Sequence, residues 1–144
     1  MHTILLPIDE SETRSRRAAR TVIDLPGGPE EKAVVLLNVS EETKQPWLQE
    51  FESQRAEGRA EPELPASTEA ARALLAEAGI DVDTRLERGD ITENILAVAE
   101  EIDADSIVMS GRKKSATGKV LFGSVTQSVL LSADRPVTVL MSDD

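Results

Sequence analysis

The chain has 144 residues, 27 acidic against 16 basic, a formal net charge of −11 and no cysteine. That length suits one domain able to fold around its own core, and the absence of thiols excludes disulfides and thiolate metal sites. The acidic excess opposes nucleic-acid binding, which needs a basic face, and no run approaches the ~20 apolar residues of a membrane span.

Thr3–Ile8 (TILLPI) is the first signal, a continuous apolar run that reads as a strand covered on both faces and ending at Asp9. Ser11–Leu25 follows as a helix with arginines at exposed positions, stopped by Pro26-Gly27-Gly28-Pro29. Ala33–Val39 (AVVLLNV) is a second buried strand. Glu41–Pro65 is a long, acidic, proline-containing connection with Trp47 and Phe51 one helical turn apart. It reads as a short helix or flap whose aromatics close an edge of the core.

Thr68–Ala78 is an alanine-rich helix with Gly79 placed as its C-terminal cap. Asp81–Leu86 (DVDTRL) alternates polar and apolar residues, as an edge strand does. Asp90-x-x-Glu93 forms a capping-box pattern ahead of a helix over Ile91–Ile102. Ser106–Met109 (SIVM) is the fourth strand, and Ser124-x-x-Gln127 a second capping-box pattern that opens a helix to about Leu131. Pro136–Met141 (PVTVLM) is the last strand, its initial proline suited to a strand start. Strand–helix alternation of this kind predicts a parallel α/β sheet in one domain over residues 1–144.

Charge is unevenly spread. From Ser106 to Ala133 there is no Asp or Glu, and the window holds Arg112, Lys113, Lys114 and Lys119, three of the five lysines in the chain. This basic Gly/Ser/Thr loop runs into Gly123-Ser124, and N–H groups at a helix start beside glycine-rich turns bind phosphate. Ligands of open parallel sheets sit beyond the carboxyl ends of the strands, where the strand order reverses. Asp9, Val39 and the basic loop fall at such ends, which describes a mononucleotide crevice: a carboxylate for a base amino group or ribose hydroxyl, and a loop and helix start for phosphate. The alternative is an ordinary solvated loop.

Other chemistries find no support. His2, the only histidine, lies next to the N-terminus, which argues against a Ser/His/Asp triad, and with one histidine no histidine-cluster metal site can form. Gly118-Lys119 lacks the earlier glycine and the following hydroxyl of a P-loop, with Lys113 and Val120 at those positions. Asp9-Glu10 either holds Mg²⁺, alone or beside a nucleotide, or has Glu10 as the favourable anion of a helix N-terminus. The acidic excess, and the lack of a signal-peptide pattern at the N-terminus, lead us to expect a cytoplasmic protein from a salt-loving source.

LLPIDES, LLNV, SIVMSG, FGSVTQSVL and DRPVTVL, in this order and spacing, resemble the universal stress protein family over nearly the whole chain. The resemblance implies a doubly wound, flavodoxin-like fold of the adenine-nucleotide α-hydrolase type, with five parallel strands in order 3-2-1-4-5. It also implies ATP or AMP as ligand, with Mg²⁺ only alongside the nucleotide, and a homodimer through Pro136–Met141. Carried over position by position, Pro7, Ile8 and Asp9 would lie near adenine and ribose, Val39 beside the base and Met109 beneath the nucleotide. Gly123, Ser124 and Val125 would donate to phosphate.

One departure stands out. ATP-binding relatives carry Gly-x-x-Gly, nine residues, then Gly-Ser/Thr, and this chain has Ser110 and Lys113 in place of the first two glycines. Either Gly111 and Gly118 rebuild the loop, with Arg112 and Lys119 gripping phosphate, or triphosphate binding is lost. Two roles therefore stand side by side: a nucleotide-binding stress protein with at most slow ATPase activity, and an ATP-independent adaptor docking a transporter or enzyme.

Overall fold

The computed structural model describes residues 1–40, 64–112 and 123–142. Among these, strands and helices alternate as β1 (His2–Pro7), α1 (Glu12–Asp24), β2 (Lys32–Ser40), α2 (Ala66–Glu77), β3 (Asp81–Arg88), α3 (Ile91–Glu101), β4 (Ser106–Arg112), α4 (Ser124–Ser132) and β5 (Val137–Ser142). The five strands form one parallel sheet in the order β3-β2-β1-β4-β5. This is the doubly wound architecture expected from the alternation and the resemblance.

The apolar runs explain why the sheet is central. Successive strand residues point to opposite faces, so a strand covered on both sides must be apolar throughout. Ile4 and Leu6 of β1 pack against Ala18, Ala19 and Val22 of α1 and Leu75 of α2. Leu5 between them faces the other layer, where Ile95 and Val98 of α3 and Val129 of α4 lie. All three β1 side chains are fully buried, each contributing about 1.5–3 kcal/mol of transfer free energy. β3 lies at one edge, where Asp81 and Asp83 face solvent.

Helix ends are set by local chemistry. Ser11 accepts the Arg14 N–H at the start of α1, and the Asp90 carboxylate accepts the Glu93 N–H at the start of α3, at 2.8 Å. Gly79, at φ 84°, ends α2, with its N–H on the Ala76 carbonyl and the Ile80 N–H on the Leu75 carbonyl. This is the Schellman closure. α3 ends in the same way through Asp103, at φ 52°.

The structure corrects three sequence expectations. β4 runs on past Met109 to Arg112, because Ser110, Gly111 and Arg112 pair with Leu140, Met141 and Ser142 of β5. The second capping box does not form: Gly123 is the N-cap of α4, and among the described residues no side chain caps that helix. A cap must precede the first helical residue, and Ser124 already occupies that first position. Arg14, expected among exposed arginines, keeps only 16% of its side chain exposed. Trp47, Phe51, Lys113, Lys114, Gly118 and Lys119 lie outside the described residues.

Candidate functional site

Strand order reverses at β1, which has β2 on one side and β4 on the other. Beyond the carboxyl ends of these three strands lies a cleft of about 1060 Å³. β1 contributes Pro7 and the residues after it, Ile8 and Asp9; β2 contributes Leu37, Asn38 and Val39; β4 contributes Met109 and Ser110. The first turns of α1, α3 and α4 complete the walls with Arg14, Ser15, Ile91, Ile95, Val125 and Thr126. The lining therefore mixes apolar side chains, such as Ile8, Ile91, Ile95, Met109 and Val125, with polar ones, such as Asp9, Arg14, Asn38 and Thr126, as ligand sites of this kind do.

Each wall is tied down. The Ile8 N–H donates to the Leu37 carbonyl at 2.8 Å, holding the end of β1 against β2. Asn38 Nδ2 donates to Thr68 Oγ1 at 3.1 Å, fixing the start of α2 to β2. Thr126 Oγ1 donates to the Ser110 carbonyl at 3.4 Å, joining α4 to the end of β4.

Asp9 shapes the turn into α1. Its Oδ1 accepts the Ser11 N–H at 2.9 Å, and its Oδ2 accepts Arg14 Nε at 2.8 Å. The start of α4 is chemically different. The Gln127 N–H is the one that reaches back to the Gly123 carbonyl, so the amides of the preceding turn have no helical acceptor. Among the described residues no side chain caps them, so they are donors suited to an anion.

Of the residues singled out in the sequence, Pro7, Ile8, Asp9, Val39, Met109 and Val125 line this one cleft. Gly123 and Ser124 are exposed at the start of α4, immediately before Val125. Gly111 sits differently: it is buried in β4, and a Cβ there would lie 2.9 Å from both Val139 Cγ1 and Met141 Sδ. Its lack of a side chain makes room for β5. Arg112 is the last residue of β4, and Lys119 lies outside the described residues. Among the described residues, no group of three or more His, Asp or Glu is placed to hold a metal ion.

The cleft also takes in residues the sequence reading passed over, chiefly Arg14, Ser15, Asn38 and Ser67. Two carried a signal. Asn38 is the polar residue inside an otherwise apolar run, and Ser15 is the polar residue on the buried stripe of α1 that continues through Ala18, Ala19 and Val22.

A parallel, doubly wound sheet with its cleft at the reversal point defines an open α/β protein, the cleft lying where such folds bind their ligands. The chain belongs to the universal stress protein family, whose sequence profile matches residues 1–140. A universal stress protein of Synechocystis sp. is 37% identical over 139 residues, spanning 96% of this chain and 84% of the relative. The structure of a universal stress protein from Archaeoglobus fulgidus superposes with a TM-score of 0.68 at 25% identity, covering 96% of this chain and 98% of that one. A universal stress protein from the same organism, solved in complex with dAMP, superposes with a TM-score of 0.65 at 19% identity, covering 96% of this chain and 97% of that one.

Proposed function

We propose that this is a dimeric, cytoplasmic stress-response protein whose cleft binds an adenine nucleotide. The observation that carries the reading is the convergence, in one cleft, of apolar side chains at the ends of β1, β2 and β4 with the start of α4, uncapped among the described residues. Val39 and Met109 would flank the base, Pro7, Ile8 and Asp9 would meet base and ribose, and Gly123, Ser124 and Val125 would donate to phosphate. Arg112 and Lys119 would add charge there. The dAMP complex of the Archaeoglobus fulgidus relative supports a nucleotide of this class.

Gly111 is committed to packing against β5, so it does not free the backbone for a phosphate loop. We therefore favour AMP over ATP. Asp9 and Glu10 supply two carboxylates at the rim, too few for a metal cage, so Mg²⁺ would enter only with phosphate oxygens of its own ligand. The role is binding rather than catalysis. Calorimetric titration with AMP and ATP, in high KCl with Mg²⁺, tests it: AMP binding is expected, and no heat from either nucleotide overturns the reading.

β5 is an edge strand of mixed burial, and such an edge is commonly covered by a two-fold copy of itself. We read Pro136–Met141 as the dimer contact. Light scattering checks this, with Thr138→Lys at an exposed position expected to give monomer. A second reading, an ATP-independent adaptor docking a transporter or enzyme, draws on Leu131, 79% exposed, and Leu130, 38% exposed, near the end of α4. A protein that gives no heat with nucleotide would favour it.

A further inference from the structure

We infer that the α1 wall of the cleft selects a nucleotide bearing a second phosphate, on the 2′- or 3′-oxygen of its sugar. The inference rests on the cleft being the nucleotide site proposed above. Arg14 lines the cleft from the first turn of α1 with its side chain 16% exposed. Its Nε donates to Asp9 Oδ2 at 2.8 Å, while Nη1 and Nη2 bond to none of the described residues. The next residue, Ser15, also lines the cleft; it is 2% exposed, and its Oγ has no hydrogen-bond partner among the described residues.

These groups change what the sugar side of the cleft asks for. An unengaged Asp9 carboxylate would accept hydrogen bonds from sugar hydroxyls. Here Oδ1 already accepts the Ser11 amide and Oδ2 accepts Arg14, which leaves a lone pair on each for a sugar hydroxyl and sets the guanidinium donors beside them. A guanidinium anchored through Nε offers its remaining N–H groups in a fixed plane, the geometry that matches phosphate oxygens. A buried hydroxyl without a partner adds a third donor that is destabilising until something bonds it. A sugar diol supplies weak neutral acceptors to this set, whereas a phosphate ester supplies several charged ones.

Of the three acids lining this wall, Asp9 pairs with Arg14, Glu12 pairs with Arg16 at 3.2 Å, and Glu10 is solvent-exposed, so the selection rests on the directed donors of Arg14 and Ser15 rather than on net charge. The 5′-phosphate belongs at the start of α4, which packs on the opposite face of the sheet from α1. Two separate elements would thus meet the two phosphates.

The test is calorimetric titration of AMP and adenosine 3′,5′-bisphosphate into the full chain and into Arg14→Ser, Arg14→Lys and Ser15→Ala. The full chain is expected to bind the bisphosphate about tenfold or more tighter than AMP. Arg14→Ser should abolish that preference, so that AMP and the bisphosphate bind about equally. Arg14→Lys, which keeps charge but not the planar fork, should retain only part of it. Ser15→Ala should weaken the bisphosphate about threefold more than it weakens AMP. Equal affinity for both ligands in the full chain overturns the inference, as does a preference that survives in Arg14→Ser. AMP binding without preference removes this inference alone; absence of binding by both nucleotides removes the nucleotide reading, and this inference with it.

Discussion

Lys32, the first residue of β2, places its Nζ 2.6 Å from the carbonyl oxygen of Leu25, at the end of α1. The same ammonium donates to the Val22 and Ile23 carbonyls, both at 3.0 Å, and Lys32 is only 3% exposed. A helix leaves its last carbonyls without partners, and a cation there also opposes the negative end of the helix dipole. α1 has no basic residue in its own last turn, so a residue from the next strand does this work. Lys32→Met should lower unfolding free energy by about 2–4 kcal/mol, since it strands buried carbonyls that a charged donor had satisfied. Urea titration checks this through a lowered midpoint at unchanged slope.

The start of α4 separates a stability role from a binding role. Gly123 has an ordinary φ of −63°, and a Cβ there would meet nothing within 4 Å among the described residues. Ser124 is the first helical residue and not the cap. Ser124→Ala should therefore leave stability within about 0.5 kcal/mol, whereas Gly123→Ala, which puts a poorer residue at the N-cap, should cost up to about 1 kcal/mol. Both should nevertheless weaken AMP, Ser124→Ala by about 1–3 kcal/mol through a lost charge-assisted hydrogen bond and Gly123→Ala through hindered approach. Parallel thermal melts and titrations give the two readouts; a loss of stability without a loss of affinity would return Ser124 to a structural role.

Gly111 is the reverse case. An added methyl would sit 2.9 Å from Val139 Cγ1, on a side chain stiff at χ1, and from the more adaptable Met141 Sδ. Gly111→Ala should cost about 1–3 kcal/mol by overpacking the β4–β5 seam. If β5 carries the dimer contact, the same variant should also weaken dimerisation in light scattering.

Much of this fold was legible because β1, β2 and the core of β4 are covered on both faces. Ile4, Leu5 and Leu6 must all be apolar to fit that position, and the run announces it. What escaped was non-local. Ser110-Gly111-Arg112 carries no strand signal of its own, and it is extended because β5 pairs with it. Ser124-x-x-Gln127 satisfies a local pattern, but the pattern does not fix which residue first takes helical angles. In the cleft, the strand-end residues were readable from the rule that ligands sit beyond carboxyl ends. Arg14 was not, because its partner Asp9 is five residues away across a turn whose geometry only the folded chain reveals.

Acid should act on the Glu69–Arg72 pair. The hydrogen bond from Arg72, at 2.6 Å to Glu69 Oε1, holds the Glu69 carboxyl below its usual range, with the positive charge of Arg72 adding to it and slight burial opposing it. A carboxyl depressed in the folded state stabilises the fold above its unfolded pKa, and that contribution disappears as pH falls through the lower folded value. The Glu69 side chain is 49% exposed, so screening limits the effect to about 0.2–0.5 kcal/mol at neutral pH. Stability curves of the protein and Glu69→Gln should run apart by that amount near pH 7 and converge below about pH 4.

Salt should matter more than any single pair. A net charge of −11 on 144 residues makes the compact state repel itself, and mobile ions screen that repulsion over about 10 Å at 0.1 M. The ion pairs that salt would weaken, such as Arg16–Glu12 and Arg72–Glu69, are solvent-exposed and each contributes little. Screening of the net charge therefore outweighs their loss. The melting temperature should climb through a KCl series from dilute buffer to molar concentrations, with about 3 °C for each kcal/mol gained in a domain of this size. A flat or falling series would show that the acidic excess is not an adaptation to salt, and that the compactness of this chain rests on its buried sheet alone.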